Sequence, residues 1–222
     1  MSDGGDAVIR VLLVDDDPLV RSALGLMLGG QPDVRVVGEA ADGRAGIDAA
    51  GELCPDVILM DIRMPGLDGL AATVELRRSP EPPHVIVLTT FDDDDYVLQA
   101  LAAGADGFLL KDTPPPEILE AIRRVADGDP MLSPSVTRSL IKQVAPPDSS
   151  RTTRAQQRLG VLTERELDVA RAVGRGLSNA DIAGELYLSV PTVKAHVSRL
   201  FEKLAVTNRV QIAIVVHDAG LV

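Results

Sequence analysis

With 222 residues the chain has the length of two small domains rather than one large one. Its apolar content of 45% suffices for packed cores, but with no Trp, two Tyr and three Phe those cores must be aliphatic. No apolar run approaches the roughly 18 residues of a membrane span, the first ten residues carry no charged-then-apolar leader, and the single Cys54 excludes an internal disulfide framework. No Cys/His cluster has zinc-ligand spacing. These features predict a cytoplasmic protein with no membrane partner.

The net charge of −11 is unevenly spread. Residues 1–150 hold 12 Lys/Arg against 26 Asp/Glu, a net of −14, whereas residues 151–222 hold 10 against 7, a net of +3. The acidic part is expected to avoid DNA, and the basic part can approach it.

In chain order, β-branched runs predict strands over Val8–Asp15, Val34–Ala40, Asp56–Asp61, His84–Thr89 and Gly107–Lys111. Helical patterns alternate with them near Pro18–Gly30, Gly43–Leu53, Leu67–Arg77, Asp93–Ala103 and Pro114–Ala126. Near-continuous apolar strands alternating with helices predict an α/β, doubly wound, five-stranded parallel sheet over residues 1–127. The run Asp92–Asp95 suits the N-terminus of the fourth helix, where acids oppose the helix dipole.

Residues 128–160 are expected to form a linker. Ser133–Val144 could be a short helix, followed by a Pro- and Ser-containing segment and a basic, polar stretch to Arg158. Residues 161–222 predict an all-α, four-helix domain. Thr163 and Glu166 form a capping box, Ser178 caps Asn179–Tyr187, and Ser189 caps Val190–Leu204 with Pro191 in its first turn. Thr207 or Asn208 opens a last helix through His217. The short spacing of the middle pair is that of a helix-turn-helix.

Open parallel sheets bind ligands beyond the carboxyl ends of their strands. Here those ends carry Asp15 and Asp16, Asp61, Thr89 and Lys111. Crowded carboxylates repel one another, and a hard divalent cation such as Mg²⁺ relieves that repulsion. One Asp can then attack a phosphoryl group, with Lys111 and Thr89 binding its oxygens. Asp17 adds further negative charge beside the pair.

The motifs Leu13-Val14-Asp15-Asp16, Leu59-Met60-Asp61-Ile62-Arg63-Met64-Pro65-Gly66, Leu88-Thr89-Thr90 and Gly107-Phe108-Leu109-Leu110-Lys111 resemble the receiver domain of response regulators. The resemblance covers about residues 8–127 and implies a flavodoxin-like sheet of strand order 2-1-3-4-5. It implies that Asp61 is the phosphoacceptor, that Asp16, Asp61 and the Arg63 carbonyl ligate Mg²⁺ with Asp15 acting through water, and that Phe108 swings inward when Thr89 moves toward the phosphate. Asp112 follows Lys111 where many receivers have Pro, so no cis peptide is implied.

In Val190–Leu204 the stripe Val193, Val197, Leu200 and Leu204 is core, and the opposite face carries small residues between cations. Ser178-Asn179-Ala180-Asp181-Ile182-Ala183, Thr192-Val193-Lys194-Ala195-His196-Val197 and Lys203-Leu204-Ala205-Val206-Thr207-Asn208-Arg209 resemble the LuxR-type helix-turn-helix. Together the two parts resemble the NarL/FixJ subfamily. The resemblance places Lys194, Ala195 and Ser198 in the major groove of double-stranded DNA and Thr192, Lys203, Asn208 and Arg209 on phosphates. It implies a sensor histidine kinase as phosphoryl donor, and a homodimer formed through the last helix when phosphorylated. His196, beside the core stripe, is expected to be a packed edge residue. A phosphorylation-independent DNA-binding regulator, its receiver serving only to dimerise, is the alternative.

Overall fold

The computed structural model describes residues 8–89, 94–129, 131–132 and 149–222. Its first unit contains β1 (Ile9–Val14), α1 (Pro18–Leu28), β2 (Val34–Ala40), α2 (Gly43–Leu53), β3 (Val57–Met60), α3 (Gly69–Leu76), β4 (His84–Thr89), α4 (Asp94–Ala103), β5 (Gly107–Leu110) and α5 (Pro115–Ala126). The strands are parallel, in the order β2-β1-β3-β4-β5 expected of a receiver. A two-residue strand, β6 (Met131–Leu132), extends the sheet beyond β5, within the range read as linker.

Alternation along the strands builds two cores. Leu12, Val14, Ile58, Met60, Val85, Val87 and Phe108 point to one face, against α2, α3 and α4. Val11, Leu13, Val57, Leu59, Ile86, Leu88 and Leu109 point to the other, against α1 and α5. Side chains of adjacent strand residues point to opposite faces, so a strand covered on both sides must be apolar throughout.

The acids before the helices have local work. Asp17, read as extra negative charge beside the acidic pair, also caps α1: its Oδ1 accepts the Leu19 amide at 2.8 Å. Asp42 and Asp68 cap α2 and α3 in the same way.

The second unit contains α6 (Ser149–Leu159), α7 (Glu164–Gly174), α8 (Asn179–Leu186), α9 (Val190–Leu204) and α10 (Arg209–Asp218). The helix α6 corrects the linker boundary. Ala155 and Leu159 enter the same core as Val169, Val173, Leu200 and Ile212, and Arg151 pairs with Asp218 at 3.0 Å. Only two residues of α6 are deeply buried in that core, so its sequence lacks the apolar periodicity that marks a helix. The expected helix Ser133–Val144 and the acids Asp92 and Asp93 lie outside the described residues. Among the described residues no helix is long and apolar enough to cross a membrane.

Candidate functional site

Backbone hydrogen bonds carry the sheet pattern just past the strand ends. Asp15 N donates to the Ala40 carbonyl (3.1 Å), Asp61 N to Val14 (2.8 Å) and Lys111 N to Thr89 (2.8 Å). These bonds bring the expected acidic edge together. Carboxylate oxygens of Asp15, Asp16 and Asp61 lie within 4.8 Å of one another, with Asp15 and Asp61 buried and Asp16 exposed. Lys111 Nζ stands 2.6 Å from Asp15 Oδ2 and 3.1 Å from Asp61 Oδ2.

Burial pushes the Asp61 carboxyl above its ordinary value; the Lys111 ammonium opposes this and the Asp15 charge adds to it. Burial alone would lower Lys111, but its hydrogen bonds and charge contacts with Asp15 and Asp61 outweigh that and raise it. An all-oxygen set of three acids, one open to solvent, has the chemistry of a hard divalent-ion site. Gly69 closes the loop behind the site: its amide donates to the Ile62 carbonyl at 2.9 Å, and a Cβ there would stand 1.9 Å from the Asp61 carbonyl oxygen. No residue but glycine fits that approach.

Thr89 is 2% exposed at the rim of the same edge. Phe108 is fully buried among Val87, Ala100 and Leu101. In this structure Phe108 is held inward. Arg63, whose carbonyl was an expected ligand, stacks its guanidinium 5.0 Å above the Tyr96 ring and ties the loop after Asp61 to α4.

In the second unit α8 and α9 form the helix-turn-helix. Val193, Val197, Leu200 and Leu204 are buried, leaving Thr192, Lys194, Ala195 and Ser198 on the exposed face of α9. His196 is half-buried beside the stripe, as an edge residue should be.

Three of the expected phosphate contacts lie elsewhere. Lys203 Nζ pairs with Glu166 Oε2 at 2.7 Å, inside the capping box of α7. Asn208 is fully buried: its Oδ1 caps α10, and its Nδ2 donates to the Leu101 and Ala105 carbonyls of the receiver at 2.9 and 2.8 Å. Arg209 is 5% exposed, with its guanidinium on Asn179 Oδ1 at 2.7 Å and on the Leu177 carbonyl.

Most apolar residues of α10 are turned inward. Ile212, Val215 and Val216 fill its own domain's core and Val210 packs on the receiver core, while Ala213 and Ile214 are half-buried.

The resemblance also implies that the acidic receiver masks the recognition helix at rest; the residues that join the two units were not read from the sequence. Gln211 Nε2 donates to the Leu101 carbonyl (2.8 Å), Asn179 N to Asp129 Oδ1 (3.1 Å), and Lys194 Nζ pairs with Asp127 Oδ1 (3.3 Å). Asn208 and Gln211 thus donate to the carbonyl of Leu101 in the last turn of α4 and to that of Ala105 just beyond it. A sequence shows which residues are polar, not which other domain they meet; no local pattern marked Asp127 or Asp129.

The capping box of α7 carries a pH signature. The Lys203 ammonium, followed by the Thr163 amide, lowers the Glu166 carboxyl from 4.5 to about 2. A carboxyl depressed in the fold stabilises it above the unfolded value and loses that contribution as pH falls from about 4.5 toward 2. Glu166→Gln is expected to cost about 1–2 kcal/mol at neutral pH and to flatten the acid limb of stability, measured by urea unfolding across pH. Equal acid sensitivity in both proteins would count against this.

A five-stranded doubly wound sheet with an acidic carboxyl edge, joined to a helix-turn-helix, defines a receiver-type domain with a helix-turn-helix effector. The comparisons agree with that class. The receiver domain model of response regulators matches residues 11–123, and the model for bacterial regulatory proteins of the luxR family matches residues 160–216. The chain is 40% identical to the transcriptional regulatory protein LiaR of Bacillus subtilis (strain 168), over 97% of this chain and 100% of that one. It is 37% identical to the nitrate/nitrite response regulator protein NarL of Escherichia coli (strain K12), over 94% of each. The crystal structure of the response regulator ChrA of a heme-sensing two-component system overlays with a TM-score of 0.53 at 35% identity, covering 97% of this chain and 100% of that one. The chain belongs to the NarL/FixJ-type response regulators, homologous to two-component proteins that regulate transcription.

Proposed function

We propose that Asp61 accepts a phosphoryl group from a partner sensor histidine kinase and that this controls binding of double-stranded DNA by α9. The observation that carries the reading is the convergence of Asp15, Asp16 and Asp61 around the Lys111 ammonium at the sheet's carboxyl edge. Asp15, Asp16, Asp61 and the Arg63 carbonyl would hold Mg²⁺, which supplies charge neutralisation for the incoming phosphate. An Asp61 oxygen attacks phosphorus and the donor's nitrogen leaves. Lys111 and Thr89 bind the phosphoryl oxygens, so the ammonium exchanges its carboxylate partners for the new dianion.

The pull on Thr89 and Lys111 is felt at α4, since Phe108 and Leu101 share one core with Val87, the strand neighbour of Phe108. The end of α4 is where Asn208 and Gln211 dock. A shift of α4 weakens those bonds and frees the second unit. Thr192, Lys194, Ala195 and Ser198 then meet DNA, and the freed protein forms a homodimer on it.

The test is incubation with acetyl phosphate and Mg²⁺, followed by intact-mass measurement. The wild type is expected to gain one phosphoryl group and Asp61→Asn none. Equal labelling of both would remove Asp61 from its role.

A further inference from the structure

The turn between α8 and α9 carries a residue that its own conformation disfavours. Tyr187 follows Leu186 with φ 54° and ψ 47°, in the left-handed region, where a side chain crowds the backbone and glycine does not. The turn needs that conformation, since the Tyr187 and Leu188 amides both reach back to the Ala183 carbonyl and close α8. It does not need the ring. Tyr187 is 95% exposed, and among the described residues its hydroxyl makes no hydrogen bond. The strain lowers the unit's stability and the exposed ring restores none of it, so the side chain serves something outside the unit.

The surroundings name the occupant. Tyr187 stands two residues before Ser189, the N-cap of α9, and the exposed run Ser189, Val190, Pro191 and Thr192 joins it to Lys194 on the recognition face. A recognition helix contacts bases by its N-terminal residues, so a side chain at the turn ahead of it meets the wall of the groove, which is sugar and phosphate. The charge there favours an anion. The first turn of α9 holds no acid, and Arg165 donates to the Leu186 carbonyl, bringing a guanidinium to the same turn. Glu185, the nearest acid along the chain, is paired with Arg175. A phenol suits that wall, because its hydroxyl can donate to a phosphate oxygen while its ring covers the sugar.

We infer that Tyr187 is a DNA-contacting residue, its hydroxyl donating to a backbone phosphate at the edge of the groove that α9 enters. The contact is neutral, so it adds affinity without adding to the counterion release that sets the salt dependence. The inference rests on the reading that α9 is the face turned to DNA, and it extends that face to the turn ahead of the helix.

The test is binding of a fluorescently labelled mixed-sequence duplex by the full-length protein, treated with acetyl phosphate and Mg²⁺, over a range of salt. Tyr187→Phe is expected to weaken binding about tenfold, the size of one hydrogen bond to a charged group, with the slope of log K on log salt unchanged. Tyr187→Gly should weaken it further and yet melt no lower than the wild type, because glycine accepts the left-handed turn. Lys194→Ala, on the recognition face itself, should also weaken binding. Fluorine NMR of protein carrying fluorotyrosine gives a direct readout. The chain has two Tyr, so the line missing from Tyr187→Phe is that of Tyr187, and it should shift when duplex binds.

If Lys194→Ala binds duplex as tightly as the wild type, the reading of α9 itself fails. If Lys194→Ala loses affinity while both Tyr187 variants keep it, or if the Tyr187 line stays in place with duplex bound, the inference is overturned and the reading of α9 stands. A Tyr187→Gly protein that melts well below the wild type would make the ring structural and overturn it as well.

Discussion

Lys111→Met is expected to slow phosphoryl uptake by Asp61 about 100- to 1,000-fold, the usual effect of removing one preorganised charged donor from a reacting oxyanion. The ammonium lies 2.6 Å from Asp15 and 3.1 Å from Asp61, so it holds the carboxylates together before reaction and meets the phosphoryl oxygens during it. Met keeps most of the stem's volume and removes only the charge. Without that charge the Asp61 carboxyl, already raised by burial and by Asp15, has no side-chain cation beside it among the described residues. The same change removes a competitor for the metal, so the Mg²⁺ concentration giving half-maximal labelling should fall even as the rate does. Intact-mass time courses with acetyl phosphate at several Mg²⁺ concentrations measure both quantities. A rate within a few-fold of wild type would mean that Lys111 only supports the pocket.

The acidic edge was legible because strand geometry is simple. Once five apolar runs are taken as parallel strands, the residue after each run must lie at the same edge, and Asp15, Asp61 and Lys111 follow from counting. Helix starts were legible at Ser178, Ser189 and Thr163 because capping is a local bond between residues three apart. What stayed hidden depends on distance along the chain. Asn208 caps its own helix as expected, yet its amide nitrogen serves carbonyls more than a hundred residues earlier, and nothing near position 208 encodes that. Lys203 was placed on a phosphate by the resemblance; its partner Glu166 sits 37 residues upstream. The helix α6 was missed because its contacts are mostly polar, through Arg151, Gln156 and Arg158, with few apolar residues to set a period.

Leu200→Ala is expected to cost about 2–5 kcal/mol, a large share of a small domain's stability, and to abolish DNA binding while leaving phosphoryl uptake intact. Leu200 is fully buried at the centre of a core built from α6 to α10, and the cores on the two faces of the sheet contain none of its neighbours there. The exposed recognition face of α9 has no support of its own; Lys194 and Ser198 are held in position because Val193, Val197, Leu200 and Leu204 anchor the opposite stripe. Loss of that anchor therefore removes the DNA-binding surface without touching Asp61. Calorimetry should show the effector transition moving to lower temperature away from the receiver's, and acetyl phosphate should still label the variant. The contrasting change, Leu19→Ala on the solvent face of α1 where the side chain is 78% exposed, should shift stability by no more than about 0.5 kcal/mol. If Leu200→Ala instead lowered a single common transition and lost labelling with it, the bonds of Asn208, Arg209 and Gln211 across the interface would be strong enough to make the two units fold as one. Release on phosphorylation would then require far more than a shift of α4.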